Sequence, residues 1–518
     1  MSPDFFPLKM VFLQSQILSV QCYICQVLVR NYRNLLGPKR FKPLDKCKRI
    51  SFKMAEIKSW FSLIKNVVDN RSKAIYYITV FFIISRIVLY FIGLRFDGSV
   101  LNWSWQCIDE TLIAERLFES LWYMSGQPPL FNLIIGIVYK ISPHLFSLIF
   151  EILFKLISLV SAILIYKILL LIKLKARFAL IASILYVSLP FIIIYENWLF
   201  YNYPVTAILL LITYYFIKLV QDLNAKNILI CLGWASFLCL YLSMYHLIWF
   251  LGISFLLVLI YGFKPRIIVY ILIFLSPIVF WYGKNYILYG QFSASTWLGM
   301  SLEKFIWPHR SEIGKVDIFG PIKKYKHLLK EDNRYPEVKI LHMDEKANGS
   351  RNLFHIQYLQ VSASSMKDFK EFFRADPMIY LEVSTWGFFL FFNPSSTFSF
   401  VHGHYAQIKP YADLLNLDFM SAFVSSQYNG SKKQSMLLII PLFFVSFILL
   451  FKHRSNSKIF NILAVFIFFN ILYLATVSTL FELAENNRYR VMVSPLIMVY
   501  FIMGLTMLGK NRPLIDKP

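Results

Sequence analysis

Ionisable side chains are sparse in this chain, and the ones that stand out do so by position. Asp109 and Glu110 lie side by side just past the first strongly apolar segment, in the stretch CIDETLIAERLFESLWYMSGQPPLFN (107–132). Near the other end, FELAENNRYR (481–490) gathers Glu482, Glu485, Arg488 and Arg490 within ten residues. Between them lie Glu196 in YENWLFYNYP (195–204) and Lys284 in FWYGKNYILYGQFSAST (280–296). Carboxylates can exchange protons and guanidinium groups can hold anions. A charge beside a membrane exit is more often simply solvated, so each residue alone decides little. A convergence of several at one membrane surface is a candidate functional site.

The elements that must position these residues follow from composition. Of 518 residues, 57% are hydrophobic and only 16% charged, against about 25% charged in soluble domains. The mean hydropathy of +0.56 is spread over many separate apolar blocks. Lipid cannot satisfy backbone polar groups, so blocks of this length read as helices of a polytopic membrane protein. Clear spans are 75–94, 178–194, 204–220, 228–242, 247–260, 267–282, 436–451, 460–480 and 491–508. The apolar region 129–172 is too long for one simple helix, and reads as one crossing preceded by an interfacial or half-inserted segment ending near Ser142-Pro143. The implied fold is all-α. Its domains are a basic cytoplasmic N-terminal segment, 1–74; a first membrane module, 75–282, with an opening loop at 95–128; a polar, mixed outer-face loop or domain, 283–435; and C-terminal membrane helices with a cytoplasmic tail, 436–518.

The net charge of +24 does not point to nucleic acid. Lys and Arg cluster in short loops between apolar runs, the pattern of the positive-inside rule. From Arg30 to Lys73 there are thirteen Lys/Arg against three Asp/Glu, which puts that segment in the cytosol. The basic loops at 172–177, 262–266, 451–458 and 509–512 agree with this orientation if 129–172 crosses an odd number of times. All four polar stretches carrying the candidate residues then fall on the outer face. The six cysteines have no zinc spacing; Cys22 and Cys25 form a lone CxxC in an apolar stretch. His402 and His404 flank a glycine without a third ligand nearby, and His246 reads as an interfacial residue in a tight turn. Apolar residues occur all round the helical wheel of 108–122, which predicts a helix without an amphipathic stripe, packed in a groove.

In their order and spacing these motifs resemble the GT-C membrane glycosyltransferases. The likeness is greatest to the branch of protein O-mannosyltransferases, aminoarabinose lipid A transferases and galacturonic acid transferases. The match consists of Asp109-Glu110 followed by Gln127-Pro128-Pro129-Leu130; Glu196 and Pro204 in the second outer loop; Lys284-Asn285 where that branch more often has Arg-Asn; and Glu485 to Pro495 in the late pattern. It covers residues 75–508, with the 283–435 block only partly matched. The resemblance implies a GT-C-like bundle of about 10–12 membrane helices, with juxtamembrane helices and a small segment on the outer face. It implies transfer of a sugar from a polyprenyl or dolichyl phosphate to a glycan, lipid or protein acceptor, with inversion. The donor needs no nucleotide, in keeping with the lack of a Gly-rich nucleotide loop. By the same match Asp109 is the catalytic base, Glu110 its orienting partner, and Gln127, Glu196, Lys284, Glu485, Arg488 and Arg490 bind substrate. No certain cofactor is implied, and a divalent metal is left open. The expected partners are membrane lipids, the lipid-linked donor and the acceptor. The expected location is a bacterial inner membrane with an outward-facing site, or alternatively the endoplasmic reticulum with a lumenal one. A transporter or lipid-linked-sugar flippase is the competing class, although no internal repeat is visible.

Overall fold

The computed structural model describes residues 71–306, 324–325, 331–416, 427–452 and 457–508. The expectations for residues 1–70, including Cys22 and Cys25, lie outside the described residues. From Arg71 onward the chain forms one compact unit, built of helices with two isolated β-bridges, Asp97 with Trp198 and Glu345 with Arg351.

The helices that frame the site are α1 (Arg71–Ile92), α2 (Glu110–Tyr123), α3 (Leu130–Ile141), α4 (Phe146–Leu171), α5 (Ala176–Ser188), α6 (Asn202–Gln221), α7 (Ala225–Tyr241), α8 (Leu247–Tyr261), α9 (Pro265–Tyr289), α10 (Gln357–Ala375), α11 (Pro377–Phe391), α12 (Gln427–Phe447), α13 (Lys458–Phe481) and α14 (Asn486–Leu508). Among the described residues, six helices are long and apolar enough to cross a membrane, and five more are apolar and shorter, at 10–17 residues. The protein is therefore an all-α polytopic membrane protein. Helices α6 and α14 pack together near the centre of the bundle and are its most buried spans.

The long apolar region divides into α3 and α4 at Ser142-Pro143. The Ser142 amide donates to Val138 O, ending α3, and Pro143 brings no amide donor to continue it. Twelve residues make α3 about 18 Å long, short of the roughly 30 Å hydrocarbon core. At its 26 residues, α4 exceeds that thickness.

Three expectations need correction. The boundary at Gly283 falls inside a helix, because α9 runs on to Tyr289 before Gly290 ends it at φ 73°. The 283–435 block is not a separate body: α11 packs against both α13 and α14. Helix α2 does have a buried face, made by Leu112, Ile113, Leu117, Ser120 and Leu121, while Phe118 and Trp122 are exposed opposite it. An all-round apolar wheel hid this stripe, since both faces of the helix carry large apolar groups.

Candidate functional site

Sequence-distant loops meet at one end of the helices. The Asp97 amide donates to Asn197 O (2.8 Å), Ser395 Oγ to Asn487 O (2.7 Å) and Lys346 Nζ to Ser104 O (2.6 Å) and Cys107 O (2.7 Å). The opening stretch, the 195–202 turn, the late turn and parts of the 331–416 region are thus tied to one another.

Between them lies a cavity of about 1180 Å³, at the upper end of small-molecule sites, which run to roughly 1,000 Å³. Its charged wall residues are Lys304, Glu482, Glu485, Arg488 and Arg351, and Gln106, Gln127, Ser243 and His246 also line it. One wall follows α13 from Phe481, next to Glu482, through Val477, Tyr473 and Leu472 to Phe469. Thirteen residues at 1.5 Å each make that wall roughly 20 Å long. Ile248 and Leu472 line the cavity and are 73% and 51% exposed.

The late turn positions the charges. Helix α13 ends at Phe481 and α14 begins at Asn486. Ala484 between them sits at φ 77°, a left-handed conformation that costs a non-glycine residue about 1–2 kcal/mol. Glu482 pairs with Lys304 and also accepts from Ser301 Oγ (3.4 Å) and the Leu483 amide (3.2 Å). Glu485 pairs with Arg488 at 2.7 Å. The Arg488 guanidinium lies over the Tyr489, Phe200, Phe398 and Tyr201 rings, 4.7–5.8 Å from their centroids. Its Nη2 also donates to Tyr489 Oη (2.7 Å), and its buried Nε has no partner among the described residues.

Gln127 reaches the wall by a zipped connection. Lys284 Nζ donates to Trp122 O (3.0 Å) and Met124 O (2.7 Å), and Tyr289 Oη to Tyr123 O, so α9 holds the last carbonyls of α2. Ser295 Oγ then donates to Gly126 O (2.6 Å) and the Thr296 amide to Ser125 O (3.0 Å). Trp297 lies so close that a Cβ on Gly126 would come within 2.0 Å of it. Only glycine fits there. Gln127 accepts from Ser243 Oγ at 3.1 Å.

Several expected site residues are elsewhere. Asp109 does not line the cavity. It caps α2, accepting from the Thr111 amide (2.9 Å), Thr111 Oγ1 (2.5 Å) and the Ala347 amide (2.7 Å). Burial raises its pKa and these hydrogen bonds outweigh that, leaving it below the usual 3.8. Its neighbour Glu110 faces Tyr139 of α3. Glu196 is fully buried in a two-pronged pair with Arg86 of α1 (2.6 and 2.7 Å), with Ser158 of α4 on the same carboxylate. Lys284 is spent on carbonyls and sits 3.7 Å above the Trp281 ring. Arg490 donates to Ser395 Oγ (3.1 Å) and does not reach the cavity. Residues two apart on a helix face different ways, which separates Arg490 from Arg488. Gln127, Glu485 and Arg488 are the expected residues that the cavity does bring together.

Other wall residues carried no local signal. Lys304 meets Glu482 across 178 positions. Gln106 is held by Asn132, which accepts from the Ile108 amide (2.9 Å) and donates to Gln106 O (2.8 Å); its place directly after the Pro-Pro-Leu-Phe run is the one clue to it. His246 lies in the turn before α8, where its ring packs edge-on to Phe481 and burial pushes its pKa down to about 4. His404 Nε2 bonds Arg95 O (3.0 Å). Among the described residues no group of three His, Cys, Asp or Glu side chains is placed to hold a metal ion. No protein-family model, no curated protein and no solved structure matches the chain.

Proposed function

We propose that this protein is a GT-C-like membrane glycosyltransferase that draws its sugar from a polyprenyl phosphate. The observation that carries this reading is the shape and chemistry of the cavity. A cavity with a largely apolar wall along roughly 20 Å of α13 and Lys304, Glu482, Glu485 and Arg488 gathered where that helix ends suits a lipid phosphate. The prenyl chain lies against Phe469, Leu472, Tyr473 and Ile248, and the phosphate sits at Arg488 and Lys304. Aromatic rings around Arg488 exclude water, which strengthens its hold on an anion.

In this reading the acceptor hydroxyl attacks the anomeric carbon on the side opposite the phosphate and loses its proton to a carboxylate. The carboxylates facing the cavity are Glu482 and Glu485. Asp109, with its oxygens engaged by Thr111 and Ala347, is a positioning residue that fixes the start of α2 beneath the 345–351 turn. Gln106 and Gln127 supply neutral donors and acceptors for sugar hydroxyls. The site faces outward from the cytosol, following the distribution of basic loops.

The test is consumption of donor by the purified protein in liposomes. Undecaprenyl-phosphate-linked mannose, glucose and aminoarabinose are supplied with a membrane extract as acceptor, and release of undecaprenyl phosphate is followed. One of these donors is consumed, and Arg488→Ala slows this about 100-fold or more. Movement of the intact donor between leaflets without release of free phosphate would instead indicate a flippase.

A further inference from the structure

Arg488 is 4% exposed and lines the cavity, yet its guanidinium is incompletely used. The one ion pair it makes among the described residues, with Glu485, occupies the place a phosphate oxygen would take. Glu482 is fixed by three groups, whereas the ion pair of Glu485 is to Arg488 alone among the described residues. The left-handed Ala484 holds Glu485 against the cavity wall, and strain of this kind collects at working sites.

We propose that Glu485 is a resident counter-ion that holds the phosphate seat at Arg488 until a lipid phosphate displaces it, and that the displaced carboxylate then takes the acceptor proton. The inference rests on the glycosyltransferase reading. In the step, the acceptor oxygen bonds to the anomeric carbon and the bond from that carbon to the phosphate oxygen breaks. Its electron pair stays with the phosphate, and the hydroxyl proton goes to Glu485.

The charges of the wall fit this sequence. Three cations, Lys304, Arg351 and Arg488, face two carboxylates, Glu482 and Glu485, leaving one net positive charge. A sugar phosphodiester carries one negative charge and matches it. The released phosphate monoester carries about two near neutral pH, and protonated Glu485 leaves the wall with two positive charges to match. Proton transfer to Glu485 therefore keeps the cavity neutral on both sides of the reaction. The same transfer to Asp109, outside the cavity, would not.

The decisive experiment measures binding of undecaprenyl phosphate to the full-length protein in nanodiscs by native mass spectrometry, alongside donor consumption. Removing the competing carboxylate in Glu485→Gln tightens binding about 3–10-fold while donor consumption falls about 100-fold or more. Binding that is unchanged or weaker in Glu485→Gln, or donor consumption at the wild-type rate, overturns the proposal. If Glu485→Gln does not fold, Glu485→Asp, one methylene shorter, gives the same sign with a smaller gain. Failure of the wild-type protein to bind undecaprenyl phosphate removes the glycosyltransferase reading as well. Wild-type binding without a gain in the variant removes only the role of Glu485.

Discussion

Arg86–Glu196 and Arg488–Glu485 are both arginine–glutamate pairs in the same bundle, built to opposite ends. The first is closed. Both Glu196 oxygens are taken by the Arg86 fork, Ser158 adds a further donor, and the side chains are 6% and 0% exposed. The second is open. Arg488 Nη2 meets Glu485 Oε2 at 2.7 Å, Nε has no partner among the described residues, and both residues line a large cavity. Burying two charges costs several kcal/mol each, and the cost is recovered only when geometry and additional hydrogen bonds are good. A pair that meets those conditions is a structural clasp, here joining α1 and α4 to the 195–202 turn. A pair that leaves donors free at a cavity wall can exchange its partner.

The largest effect that follows is at the closed pair. Arg86→Met or Glu196→Gln leaves a buried charge without its partner and costs about 3–5 kcal/mol, read as unfolding in detergent. In a double-mutant cycle the two changes are strongly non-additive. Arg488→Ala sharpens the contrast: it lowers affinity for undecaprenyl phosphate by about tenfold or more, the loss of a charged hydrogen bond worth about 1.5–3 kcal/mol, and destabilises the fold less than Arg86→Met does.

Asp109 ranks next. Asp109→Ala removes the cap of α2 and costs about 1–2 kcal/mol. Asp109→Asn keeps an acceptor oxygen, so it stays within about 0.5 kcal/mol of wild type, since Asn caps a helix about as well as Asp, and retains donor consumption. The smallest effect is on pH dependence. The pKa of Asp109 is held below its ordinary 3.8, so the stability it contributes is present above that value and is lost as pH falls through the lower folded-state pKa. Asp109→Ala shows a flatter stability profile below about pH 4, measured by thermal unfolding across an acid series.

The membrane helices were legible because length and apolar content alone identify them, and the Ser142-Pro143 break because proline leaves little choice. The cap role of Asp109 was also open to reading: an Asp directly before ETLIAERL is an N-cap signature. Motif resemblance favoured a catalytic role over that local one. What the chain could not disclose is the direction of each side chain. Arg488 and Arg490 look equivalent in sequence, yet one lines the cavity and the other bonds Ser395. Glu196 looked like a surface carboxylate because its partner, Arg86, lies 110 positions away inside an apolar run. Lys304, His246 and Gln106 enter the wall only through tertiary packing.

The central claim is that the slot along α13 holds the chain of a lipid phosphate whose headgroup rests at Arg488. It is tested most directly by photo-crosslinking with a polyprenyl phosphate that carries a diazirine on its prenyl chain, followed by peptide mapping. Labelling concentrated on Phe469, Leu472, Tyr473 and Ile248, and suppressed by an excess of unlabelled undecaprenyl phosphate, is the predicted result. Labelling spread over outward-facing residues such as Phe443 and Phe444 of α12, with no competition by the unlabelled lipid, would contradict it.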